Sequence, residues 1–319
     1  MVIFTMLIGL PGSGKSCYAR DYVATRHGTI IVSSDDIRQE LWGDANDQQN
    51  PSLVFDVMLN RTIAELKQGH HVIYDATNLV AKTRKNTLLR LRQILGEELY
   101  AEAVLITCSI SECKRRQGDR ARKVPNEVID HMVRQFQTPW YNEGWDVIKI
   151  VNCGKKQNID REHWRMLGES HDNHHHTRSL EMHCAAAEGE VIRALRASSA
   201  FSEEEEKVLV EAAYHHDLGK HKTKVFKDSR GNPSDEAHYY NHENVGAYLW
   251  LSGDKNDNWS DEDFLRIALF IRWHMQPYFL HDDNGDYRTK FKEWCSKRNF
   301  DRKFYDAICL LHEADKAAH

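Results

Sequence analysis

The chain of 319 residues has no Cys-x-x-Cys pair, and its seven cysteines are an odd number. That argues against a disulfide framework and reads as reduced thiols in a cytoplasmic protein. No apolar run is long enough to span a membrane. The opening MVIFTMLIGL is too short, lacks a basic leader, and reads as a buried first strand. Positive charge is not in excess: 43 Lys and Arg face 48 Asp and Glu, a net −5, so any nucleic-acid binding must use a local patch. The first half is also poor in histidine. Only His27, His70, His71 and His131 of the nineteen precede residue 154. No internal repeat is visible, and the only low-complexity tract is HHH at 174–176. A composition of 41% hydrophobic and 29% charged residues suits a globular protein of two ordinary domains.

The first half alternates β-rich runs with helical stretches. VIFTMLI, GTIIVSS, HHVIYDA, AEAVLITC and WDVIKIVN are candidate strands, apolar nearly throughout, as parallel strands covered on both faces require. Leu88, Leu91 and Leu95 recur at helical spacing between two of them. The fold class expected is an α/β domain with a parallel sheet and flanking helices. After Val151 the β runs stop, and GKKQNIDREHWRMLGES reads as a polar linker. SEEEEKVLVEAAYHHDLG opens with Ser202 and Glu205 as a capping box, SDEDFLRIALFIRWH starts alike at Ser260, and DRKFYDAICLLHEADKA closes the chain. The expected plan is an α/β domain over 1–153, a linker over 154–170 and an all-α domain over 171–319.

GLPGSGKS satisfies G-x-x-x-x-G-K-[ST] between a strand and a helix. Backbone N–H groups of Gly12, Ser13 and Gly14 would curl around phosphates at a helix N-terminus. Lys15 would neutralise β- and γ-phosphate oxygens of ATP, and Ser16 would ligate Mg²⁺. The strand end Asp75 is followed by Ala76, not by the second acid that an ATPase uses to activate water, and no NKxD guanine reader is present. That leans toward phosphoryl transfer to a hydroxyl. In VSSDDIRQE, Asp35 is a candidate base and Arg38 a phosphate clamp, whereas Asp36 is as readily a helix cap. In CKRRQGDRARK, Arg116 and Arg120 share a helix face and suggest a lid over the transferring phosphoryl group, against the plainer reading of a solvated helix. Lys82, Arg84 and Lys85 either extend a basic track or are ordinary exposed helix residues.

The order GxPGSGKS, SDDxR, D-x-T-N, then R-x-x-x-R with KVP resembles the kinase domain of phage 5′-OH polynucleotide kinase and its bacterial end-healing relatives, over roughly residues 1–152. The resemblance implies ATP and Mg²⁺ at Lys15 and Ser16, a general base at Asp35, an acceptor-phosphate contact at Arg38 and a donor-phosphate contact at Arg120. Ser34 stands where that family has a basic residue. The lid spacing needs a one-residue gap, which leaves Arg116 and Arg122 as alternatives to Arg120.

YHHDLGKH resembles the signature of the HD phosphohydrolase superfamily, a helical metal-dependent fold. The resemblance implies His183, His216, Asp217 and Asp315 as metal ligands, with His242 and His274 added in two-metal members. Such ligands suit Mn, Fe, Co, Ni or Zn. Asp217 would bridge two metals that clamp the attacking and leaving oxygens, and Lys220 would neutralise the phosphate. His215 and His312 are the nearest competitors, and His176 precedes the first ligand as in related domains of tRNA-processing enzymes.

A kinase acting on 5′-OH ends joined to a phosphohydrolase acting on 2′,3′-cyclic phosphate or 2′/3′-phosphate ends would heal both ends of cleaved RNA or DNA. With no K-x-D-G motif here, sealing would fall to a separate ligase. One rival is a small-molecule or nucleoside kinase fused to a nucleotidase. Another is a nucleotide-controlled RNA-binding or sensor protein with a regulatory HD fold.

Overall fold

The structure is a computed structural model that describes residues 1–118, 123–154, 156, 158–159, 162, 166, 168–172, 178–255, 258–281 and 285–318. Two compact units divide it: Met1–Met132 with Pro139–Lys156, and Val133–Thr138 with Gln157–His319. Among the described residues no helix is long and apolar enough to cross a membrane.

The first unit carries a parallel sheet of β1 (Val2–Ile8), β2 (Thr29–Ser33), β3 (His71–Asp75), β4 (Leu99–Thr107) and β5 (Val147–Asn152), in the order β2-β3-β1-β4-β5. Its helices are α1 (Lys15–Thr25), α2 (Ser34–Trp42), α3 (Pro51–Lys67), α4 (Ala81–Leu95) and α5 (Ile110–Gly118), with α6 (Asn126–Gln135) after them. The near-unbroken apolar runs of β1 and β4 are buried along almost their whole length, as helices on both faces demand. Leu7, Ala19, Ile73, Val104 and Ile106 form a core cluster under α1. Register sets the active edge. Asp75 lies opposite Leu7 of β1 and opposite Ser33 of β2, so three strands end level and their following loops converge.

The second unit is mainly helical: α7 (Leu180–Arg196), α8 (Glu203–His215), α9 (Lys220–Thr223), α10 (His242–Leu251), α11 (Asp261–Trp273), α12 (Arg288–Lys297) and α13 (Arg302–Ala317). The Ser202–Glu205 capping box forms at the start of α8, and Ser260 caps α11. Helix α7 packs on α8 and α13, and α10 packs on α11. Two expectations are corrected here. The unit is not all helix, because β6 (Val225–Lys227) pairs antiparallel with β7 (Pro233–His238). VFK and PSDEAH carry no apolar run to announce a strand, and the turn between them is made by Asp228 accepting from the backbone of Arg230 and Asn232. Of the stretch expected to be a linker, the described residues Glu162 and Met166 belong to this unit. Glu162 and Met166 are buried, and Glu162 pairs with His221 at 2.6 Å and Lys222 at 2.8 Å.

Candidate active sites

The glycine loop follows β1 and closes on α1. Gly12 (φ 84°) and Gly14 (φ 112°) take left-handed backbone that other residues rarely adopt, and a Cβ on Gly12 would lie 2.6 Å from the Cys113 carbonyl oxygen. Lys15 Nζ donates to the Gly9 and Leu10 carbonyls, each at 2.9 Å, and Ser16 Oγ donates to Asp75 Oδ2 at 2.9 Å. A hydroxyl and a carboxylate so placed beside the loop suit a Mg²⁺ site. Burial raises the Asp75 carboxyl above its usual pKa, opposed by Lys15 and Ser16.

A cavity of about 490 Å³ opens at this edge, lined by Gly12, Gly14, Lys15, Ser16, Asp35, Arg38 and Asp75 among others. Ser33, not Asp36, caps α2: its side chain accepts from the backbone of Asp35 and Asp36. Asp35 accepts from Arg38 Nη1 at 3.0 Å. Arg116 is not among the lining residues. Its Nη1 donates to the Gly12 and Ser13 carbonyls at 3.1 and 3.5 Å, and its Nε to Glu112 at 2.9 Å, so it braces the phosphate loop through the loop's own carbonyls. Arg120 and Arg122 lie outside the described residues, as does His176. Arg84 extends no basic track. It is fully buried, with Nε 2.8 Å from Glu143 and Nη1 donating to the Asn78 carbonyl at 2.9 Å. Asn46, Gln48 and Phe55 also line the cavity. They come from a polar loop and the start of α3, and nothing in their local sequence announces it.

In the second unit six side chains converge. His183 comes from α7, His216 and Asp217 from the end of α8, His242 from the first turn of α10, His274 from the end of α11, and Asp315 from α13. All six are buried. The ligand atoms group as His183, His216 and Asp217; His216, His274 and Asp315; and Asp217, His242 and His274. Asp217 divides its carboxylate: Oδ1 lies 3.2 Å from His242 Nε2, and Oδ2 lies 3.4 Å from His216 Nε2 and 3.5 Å from that of His183. Asp315 Oδ1 is 2.9 Å from His183 Nε2.

The hydrogen bonds around the rings test whether the set fits a metal. His216, His242 and His274 each direct Nδ1 at a backbone carbonyl, of Ala213, Tyr239 and Ile271, at 2.7, 2.9 and 2.8 Å. A carbonyl only accepts, so each Nδ1 carries a hydrogen, and in a neutral ring Nε2 keeps a lone pair. At His216 burial is outweighed by the Asp217 and Asp315 carboxylates, which raise the pKa well above the usual value, so a metal there would displace a proton. The Nε2 atoms of His242 and His274 nevertheless lie 3.2 Å apart. Two lone pairs face each other there beside a carboxylate, an arrangement a cation relieves. The donor set fits transition-metal binding.

Charge is distributed accordingly. Burial disfavours the Asp217 carboxylate, but Lys220, with Nζ 2.6 Å away, and His216 hold its pKa well below the usual range. Burial, reinforced by His216 and His242, pushes His274 down to about 3. Tyr278 donates its hydroxyl to Asp315 Oδ2 at 3.0 Å, an orienting contact the sequence did not advertise. The competitors stand aside. His215 pairs with Glu211 at 3.0 Å, and His312 is buried among Tyr278 and Tyr287 rings.

Comparison with known proteins bears on the first unit. Residues 4–139 match the family described as AAA_33, an AAA domain. Over 156 residues the chain is 24% identical to the L-seryl-tRNA(Sec) kinase of Methanococcus maripaludis, covering 46% of this chain and 57% of that protein. The chain thus spans little more than half the length of that curated relative. A chain of the Pnkp1/Rnl/Hen1 RNA repair complex is 25% identical, with 42% of this chain and 43% of that one covered at a TM-score of 0.37. A gluconokinase from Sinorhizobium meliloti is 16% identical, with 46% and 79% covered at a TM-score of 0.32. The first unit is an α/β P-loop domain that matches this family model over residues 4–139.

Proposed function

We propose that the protein is a bifunctional end-healing enzyme. Residues 1–153 would phosphorylate 5′-OH ends of RNA or DNA with ATP and Mg²⁺. Residues 171–319 would be an HD-type phosphohydrolase that removes 2′,3′-cyclic phosphate or 2′/3′-phosphate from the other end. A separate ligase would seal the product. The observation that carries this reading is the pairing, on one chain, of an acid–arginine couple beside a phosphate loop with a carboxylate shared between two histidine pairs.

In the kinase cleft, Lys15 and the loop N–H groups would hold the donor phosphates while Arg38 holds the phosphate next to the acceptor. Asp35 accepts the proton of the 5′-hydroxyl as its oxygen bonds the γ-phosphorus and the bond to the ADP oxygen breaks. In the second site, His183, His216, Asp217 and Asp315 would hold one metal, and Asp217, His242 and His274 a second. Bound metal supplies Lewis-acid polarisation of the phosphoryl oxygens. Lys220 neutralises the phosphate charge, and Tyr278 keeps Asp315 oriented. Each hydrolysis adds one water to phosphorus and breaks one P–O ester bond, the departing sugar oxygen taking up a proton. A 2′,3′-cyclic phosphate is opened to a monoester by the first hydrolysis and released by a second.

An RNA oligonucleotide bearing a 5′-OH and a 2′,3′-cyclic phosphate, incubated with the purified chain, ATP, Mg²⁺ and Mn²⁺, tests both halves. Mass spectrometry is expected to show gain of a 5′-phosphate and loss of the 3′-terminal phosphate. Ends left untouched by protein that still binds ATP and metal would redirect the assignment to small metabolites.

A further inference from the structure

The histidine–aspartate cluster opens onto a cavity of about 620 Å³ whose lining is unlike that of a bare phosphate site. Asp217, His242, Asp315 and Lys220 line it together with the aromatic rings of Tyr240 and Phe279. The volume is within the range of pockets that take a ligand of nucleotide size. Phe279 is 70% exposed although phenylalanine is among the residue types most often buried. Tyr240 is 38% exposed, and its ring lies parallel to that of His238, 6° between planes with centroids 5.5 Å apart. The two rings arrive on unrelated segments: Phe279 on the 3-10 turn Pro277–Leu280 after α11, Tyr240 just after β7. Charge narrows the choice of ligand further. Lys220 is the only Lys or Arg among the described lining residues, whereas Glu236 and Glu243 also line the cavity. A strand-binding groove instead tracks successive phosphates with positive charge.

We propose that this cavity is a single-nucleotide site, with the phosphate toward Lys220 and Asp217 and the base stacked on Phe279 and Tyr240. The proposal rests on the phosphohydrolase reading above and adds the group recognised. The site reads the terminal base by its π-face, so it requires a base without choosing among bases, and it holds only the last nucleotide of a chain. With Lys220 the single Lys or Arg among the described lining residues, the site offers no positive track for the phosphodiesters of the preceding residues.

The test uses the full chain carrying Lys15→Ala, so that the kinase cleft does not compete for nucleotide. Phosphate release is followed from adenosine 3′-monophosphate, uridine 3′-monophosphate, ribose 5-phosphate and a 3′-phosphorylated 20-mer. Binding of adenosine 3′-monophosphate to EDTA-treated protein is measured by calorimetry. The nucleotides are expected to exceed ribose 5-phosphate in kcat/KM by about tenfold or more, with adenosine and uridine within a few-fold of each other and the 20-mer no better than either. Phe279→Ala should erase about tenfold of that preference, through KM, and weaken calorimetric binding in parallel, while Phe279→Trp restores both. Equal use of ribose 5-phosphate and nucleotides, or a preference unchanged by Phe279→Ala, overturns the nucleotide site and leaves the phosphohydrolase standing. No hydrolysis of any ester, with no uptake of Mn²⁺ or Zn²⁺, removes both.

Discussion

A Cβ on Gly219 would lie 2.0 Å from the carbonyl oxygen of His242 and 2.7 Å from the backbone nitrogen of Gly246. The turn that follows His216 and Asp217 is therefore in backbone contact with the first turn of α10, and glycine is what brings the two ligand-bearing elements together. Both obstacles are backbone atoms, so neither can rotate aside. Gly219→Ala should displace His242 from Asp217 and lower phosphohydrolase activity by about 100-fold, the loss that a displacement near 1 Å produces. Kinase activity measured on the same sample should be retained.

Asp217 presents one carboxylate oxygen to each histidine pair. Asp217→Asn keeps the shape and removes the charge, and elemental analysis of the purified variant should find metal lost. Tyr278→Phe removes only the hydrogen bond to Asp315. A metal titration should then show affinity reduced by about 10-fold, the lower range for losing a partner that orients a ligand.

On the kinase side, Asp35→Asn should lower kcat by about 100-fold or more with ATP binding intact, because the variant cannot accept the hydroxyl proton. Arg38→Ala should raise KM for a 5′-OH oligonucleotide more than it changes kcat. An equal fall in ATP affinity, read by calorimetry, would place Arg38 with the donor instead.

Arg116 reaches the phosphate loop through the carbonyls of Gly12 and Ser13. Its removal should loosen the loop, raising KM for ATP several-fold while kcat changes little. Arg116→Lys should recover part of the loss, since an ammonium can still donate to the loop carbonyls but cannot at the same time keep the separate Nε contact to Glu112.

Glu162 contributes a pH signature. Burial alone would raise its pKa, but His221 and Lys222 lower it from 4.5 to about 2. A carboxylate with a depressed folded pKa stabilises the fold at pH values above its unfolded pKa, and the contribution disappears as pH falls toward the folded one. The difference in melting temperature between the natural chain and Glu162→Gln should be full at pH 6 and shrink between pH 4.5 and pH 2. A difference that grows with acidification would contradict this pairing.

The phosphate loop was legible because its chemistry is local. Glycines, lysine and serine act through consecutive backbone, and their strand–loop–helix setting is written in neighbouring residues. Strands β1, β3 and β4 were equally plain, since burial on both faces demands apolar runs, and the half-buried edge strands β2 and β5 kept apolar runs of their own. The paired β6 and β7 were not, because a two-stranded ribbon at the surface needs no such run. Arg84, readable as part of a basic track or as an exposed helix residue, is neither, for a related reason: its partner Glu143 is 59 residues away in sequence. The contacts of Arg116 with the Gly12 and Ser13 carbonyls were equally hidden, whereas its pairing with Glu112 is at helical spacing.

By itself the sequence determined which atoms are available: a glycine loop of one register, an aspartate–arginine couple three residues apart, and four histidines and two aspartates spread over five helical segments. Only the tertiary structure decided how they are used. It turned the lone pairs of His242 and His274 toward each other, divided the two oxygens of Asp217 between histidine pairs, and left Phe279 exposed beside them. Each of these depends on side-chain direction and on contacts between residues distant in sequence, which spacing along a chain does not encode.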